Sequence, residues 1–78
     1  MKEIVGLRRY QFADQRTGEA VEGYVVHLQY TDDNTEGVCC ENHSISTRKL
    51  DGYVPQIGDR VRVGMNAYKR AEFIVKVG

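Results

Sequence analysis

Few groupings of residues in this chain have the types and spacing that chemistry needs. Cys39-Cys40 with His43 combines the usual zinc ligands. Neighbouring strand residues point to opposite faces, so Cys39 and Cys40 do not serve one metal. Cys39 and His43 share a face and His27 could sit across from them, which makes at most three ligands without Cys-x-x-Cys spacing. The expectation is no metal: one cysteine a small core residue, the other at a partly exposed sheet surface, and both histidines on strand surfaces. The adjacent carboxylates Asp32-Asp33 lie in a polar stretch with nothing apolar to raise a pKa, and read as a solvated acidic turn. A glycine-rich phosphate loop, a nucleophile elbow and an HExxH pair are all missing, so the sequence reads as non-enzymatic, with no cofactor.

The basic residues are more informative, because most of their clusters stand beside aromatics. Arg8-Arg9 precede Tyr10 and Phe12, Arg48-Lys49 precede Tyr53, Lys69-Arg70 follow Tyr68, and Arg16 falls in a turn-rich stretch. Acidic residues concentrate instead at Asp32, Asp33, Glu36 and Glu41. Cations beside exposed rings are what single-stranded nucleic acid requires: the charges follow the phosphates and the rings stack on bases. Five tyrosines and no tryptophan suit such a surface, since a tyrosine hydroxyl stays wet while its ring stacks. The plainer alternative is that Tyr10, Tyr24 and Phe73 fill the core while the cations solvate strand edges. Tyr68 stands apart, because its polar setting makes burial in its own domain a poor fit.

These residues need a scaffold, and 78 residues supply one small core. The expected unit is a single domain over 1–78. Hydrophobic residues at 41% and charged residues at 28% describe an ordinary globular chain. No run approaches the roughly 18 apolar residues of a membrane span. The first residues lack a signal peptide's apolar stretch, so a reducing cytoplasm is the expected compartment. Eleven basic and eleven acidic residues balance to zero, so any nucleic-acid binding must come from one face rather than from total charge. A core of this size contributes only about 3–5 kcal/mol, which makes a homodimer the expectation.

The apolar residues recur mostly with period two, which favours strands. The first spans about 3–14, with Ile4, Gly6, Arg8, Tyr10 and Phe12 on one side and Val5, Leu7, Arg9, Gln11 and Ala13 on the other. A loop at 14–19 follows, where Asp14, Thr17 and Gly18 supply side-chain turn bonds and a positive φ. The second strand, about 20–31, sets Glu22, Tyr24, Val26, Leu28 and Tyr30 against Val21, Gly23, Val25, His27 and Gln29. After a polar loop the third runs from about 36 to 47. Residues 48–58 are irregular, with room for a short helix. The fourth strand puts Val61, Val63 and Met65 on one face, and 66–70 is a hairpin tip. The last, 71–77, alternates Ala71, Phe73, Val75 and Val77 with Glu72, Ile74 and Lys76. Five antiparallel strands broken between third and fourth point to an all-β fold, a five-stranded Greek-key barrel of the OB type, with an SH3-like barrel as the alternative.

The order of features resembles the gene V group of filamentous-phage single-stranded DNA-binding proteins. The resembling pieces are Arg16-Thr17-Gly18-Glu19, Leu28-Gln29-Tyr30-Thr31-Asp32, Tyr53-Val54-Pro55 before a glycine turn, and the hairpin around Tyr68. The chain also resembles small uncharacterised proteins of Gram-positive mobile elements. The resemblance implies a dimeric OB-fold protein acting on phage or plasmid DNA during replication. In it Arg16 and Arg9 would meet phosphate, Tyr30 would be an aromatic near the DNA groove, and Tyr68 would sit on a projecting hairpin. The acidic second loop and Cys39-Cys40-Glu41 depart from that pattern. The expected interface is therefore Arg9, Arg16, Tyr30, Arg48, Lys49, Tyr68, Lys69 and Arg70, binding single-stranded DNA or RNA without sequence preference. The competing expectation is a small β-barrel module that binds a protein partner along a strand edge.

Overall fold

A computed structural model describes residues 2–77. The chain forms β1 (Lys2–Ala13), β2 (Ala20–Tyr30), β3 (Cys39–Ser46), the single helical turn α1 (Thr47–Leu50), β4 (Arg60–Met65) and β5 (Ala71–Lys76). The all-β expectation holds. The strands make one open antiparallel sheet in the order β3-β2-β1-β4-β5. Its two edge strands approach one another without a ladder between them, and α1 packs against β2, β3 and β5.

The core comprises Ile4, Val26, Leu28, Ile45, Leu50, Val61, Ala71 and Ile74, with Leu7, Tyr24, Tyr53 and Val63 packed against it. Residues directly opposite across a ladder share a face, so the register assigns the rest. Arg9, Tyr24 and Ile45 line up on the core side; Tyr10, Gly23 and Ser46 line up on the other.

Three features differ from the pattern of simple alternation, and two of them for one reason. In β1 the register against β2 shifts between Ile4 and Gly6, and the extra residue Val5 lets both Ile4 and Leu7 turn to the core. A bulge adds one residue to one strand and reverses every face beyond it. A second shift between Gly64 and Met65 does the same in the last hairpin, so Ala71 and Ile74 are buried while Phe73 and Val75 are exposed. Met65 stands opposite the buried Ala71, on the face it was expected to share with Val61 and Val63, but is exposed at the end of the ladder. The third strand starts at Cys39 rather than near residue 36, because 32–35 turns on its own bonds: Asp32 accepts the Asn34 N–H at 3.0 Å and the Thr35 N–H at 3.1 Å.

The first loop forms as its residues require. The Asp14 carboxylate accepts the Arg16 N–H at 2.8 Å, the Thr17 hydroxyl accepts the Glu19 N–H, and Gly18 takes φ +73°. Between α1 and β4 the chain is held by Tyr53, whose hydroxyl donates to Asp59 at 2.5 Å. Burial first, then that bond, pushes the Tyr53 phenol well above its ordinary value.

Candidate nucleic-acid interface

Four of the eight expected residues meet at one end of the sheet. Lys49, Lys69 and Arg70 line an open cleft of about 560 Å³ whose other wall is β3, from Asn42 to Ser46. Arg48 and Lys49 line an adjoining cleft with Ser46, Asp14, Glu19 and Glu22. α1 joins the two, since its single turn carries Arg48 and Lys49 side by side immediately after β3 ends.

The hairpin tip is built to hold its side chains outward. The Asn66 carboxamide oxygen accepts the N–H groups of Tyr68 at 2.9 Å and Arg70 at 3.0 Å, and the Asn66 backbone bonds both Lys69 and Arg70. Lys69 takes φ +61°, a left-handed conformation uncommon for a residue other than glycine. Tyr68 is left 84% exposed, with its ring available for stacking.

Acidic groups enter this end of the molecule as well. Glu72 accepts both Lys49 Nζ at 3.3 Å and Asn66 Nδ2 at 3.2 Å, so Lys49 is part-neutralised. Lys69, Arg70, Arg48 and Arg16 make no ion pair among the described residues. The charge separation is thus looser in space than along the chain, and the unpaired cations are spread over the tip (Lys69, Arg70), α1 (Arg48) and the first loop (Arg16).

The remaining expected residues are elsewhere. Arg16 stands exposed on the loop between β1 and β2. Arg9 is exposed on the core side of β1, opposite Tyr24. Tyr30 ends β2 at the far side of the sheet, in a shallow hollow with Lys2, Val38 and Arg60. The Lys2 ammonium lies 4.9 Å from the centre of its ring. The phenol is raised above its ordinary value, chiefly by charge at Cys39 and then by desolvation and Glu41, with Lys2 opposing. Tyr30 and Tyr68 therefore belong to different parts of the surface.

Beside Tyr30 the sequence concealed an ion cluster. Lys2, Glu41 and His43 share the core face of the sheet, with Glu41 held between the Lys2 ammonium and His43 Nε2. Burial alone would raise the Glu41 carboxyl, but the bonds from Lys2 and His43 outweigh it and hold the group below its ordinary value. His43 is thus half-buried rather than a surface residue, and His27 lies on the opposite face, over Gly6. Cys39 is half-buried and Cys40 exposed, so neither belongs to the core. No three His, Cys, Asp or Glu side chains gather as metal ligands would among the described residues. No described helix is long and apolar enough to cross a membrane.

Of Tyr10, Tyr24 and Phe73, the three aromatics offered as core, Tyr24 alone packs against it; Tyr53 does so too, while Tyr10 and Phe73 lie on the outer face. Tyr10 stacks with Phe12, ring centres 6.0 Å apart, and Phe12 is 57% exposed. This pair escaped the sequence analysis because only the bulge at Val5 assigns both rings to the solvent side. Compared with known proteins, the chain matches no family model, no curated protein and no solved structure.

Proposed function

We propose that this protein is a non-enzymatic, homodimeric OB-type domain of the cytoplasm that binds single-stranded DNA without sequence preference, in phage or mobile-element replication. The observation that carries this reading is the cleft between β3 and the hairpin tip, where Lys49, Lys69 and Arg70 converge, with the exposed Tyr68 on the same tip. Cations there follow the phosphates, and the ring stacks on a base.

The OB-type reading draws on the strand order. β4 returns by a long connection to lie beside β1, the spatial order 4-1-2-3 of a Greek key. The approach of β3 to β5, with α1 packed against both, supports reading the sheet as a partly open barrel. In such barrels oligonucleotides lie across strands two and three between the first and last hairpin loops, and here those loops carry Arg16 and Tyr68.

Titration of the protein with fluorescent oligo-dT at low and moderate salt tests the reading. Binding that weakens with salt is expected, because the contacts release condensed counterions. No binding at micromolar protein and low salt would sink it.

A further inference from the structure

The long strand β1 has two edges, and only one is fully used. β2 pairs along it from Glu3 to Ala13, but β4 pairs only at Lys2 and Glu3, with Gly58 and Asp59 adding bonds to Ile4. From Leu7 onward the second edge has no partner strand among the described residues, and Arg8, Arg9, Gln11, Phe12 and Ala13 are exposed along it. β3 pairs with β2 only from Gly23 to Tyr30. The end of the β1–β2 hairpin is therefore a two-stranded ribbon, a form marginal in water by itself.

We propose that two copies of this chain associate through these edges, β1 against β1, antiparallel about a twofold axis at Gln11. The proposal deepens the homodimer reading above and is independent of DNA binding. Backbone direction sets which residues can bond. Asp14 turns both its N–H and its C=O across the hairpin, to Glu19 and Gly18. By alternation Phe12, Tyr10 and Arg8 also face β2, while Ala13, Gln11 and Arg9 direct theirs outward.

A twofold at Gln11 then matches each outward group with another. Gln11 meets the second copy's Gln11, and Arg9 meets its Ala13. On the solvent face the Tyr10 ring comes opposite Phe12, so two stacked pairs become one four-ring row. Arg8 comes opposite Asp14, a charge-complementary pair, and no like charges meet. Centring on Arg9 would set Arg9 against itself. Centring on Tyr10 would push the second copy's turn to Gly6, hard against Gly58 and Asp59, which occupy this edge at Ile4.

Sedimentation equilibrium and cysteine cross-linking test the interface in a Cys39→Ser/Cys40→Ser background. The chain should sediment at twice its 8.9 kDa mass. Gln11→Cys should cross-link with itself under mild oxidation, since paired Cα atoms stand about 5.5 Å apart, within disulfide range. Arg9→Cys should cross-link only when mixed with Ala13→Cys. Arg8→Glu should weaken the dimer by roughly tenfold, through like charges placed opposite. A monomer would overturn both this proposal and the homodimer reading. A dimer in which Gln11→Cys links no better than Arg9→Cys would overturn the interface alone.

Discussion

The Tyr10 ring lies over Gly23 on the sheet face opposite the core, its hydroxyl 3.4 Å from that of Ser44. A Cβ at residue 23 would overlap both that ring and the Ile45 carbonyl oxygen, which belongs to fixed backbone. At Gly64 the three atoms nearest a Cβ all belong to the outer-face ring of Phe73, a side chain 45% exposed and able to swing away. Gly23→Ala should therefore cost about 1–3 kcal/mol and Gly64→Ala distinctly less. Urea unfolding of the two variants checks the order; equal losses would contradict it.

The Lys2–Glu41–His43 cluster predicts an acid-side dependence. Glu41 is more acidic in the folded chain than its ordinary value of 4.5, so its stabilisation is fully present above about pH 4.5. It is lost as pH falls through the folded pKa. Glu41→Gln should lower Tm at neutral pH, and the gap from wild type should close on acidification. A gap that stays constant from pH 7 to pH 3 would remove the cluster from the stability argument.

Tyr53 works on the alkaline side. Its phenol is raised from 10.0, so the bond to Asp59 stabilises fully below about pH 10 and is lost as pH rises beyond that. Tyr53→Phe should cost about 1.5–3 kcal/mol at neutral pH, the range for a hydrogen bond to a charged group. Thermal melts across pH 7–11 should show the wild type converging on the variant.

At the hairpin tip, fold and binding should separate. Tyr68 is so exposed that Tyr68→Ala should leave Tm unchanged while weakening oligo-dT binding roughly five- to 150-fold, the loss of one stacked base. Lys69→Ala and Arg70→Ala should each lower the salt slope by about 0.7, one single-stranded phosphate contact. Asn66→Ala differs: it removes the acceptor of two N–H groups, so binding and Tm should fall together.

Much of the local structure was readable from residue types alone. The turn at Asp14 to Glu19, the acidic turn at Asp32 and the polar tip around Tyr68 follow from short-range bonds that each segment makes with itself. The faces of β2 were equally accessible, because an unbroken strand keeps its period of two throughout. Those bonds and that period need no knowledge of the rest of the chain.

Tertiary structure decided what depends on one extra residue or on distance. The bulge at Val5 moved Leu7 and Arg9 to the core side and turned Tyr10 and Phe12 to solvent; the shift beside Met65 buried Ile74 in place of Phe73. A bulge is set by the register of two strands against each other, which no single strand's pattern contains. The same holds for the site. Lys49 and Arg70 lie far apart in sequence and meet only because β5 is carried round to α1 and β3, while Tyr30, close to β3 along the chain, ends at the opposite side of the sheet.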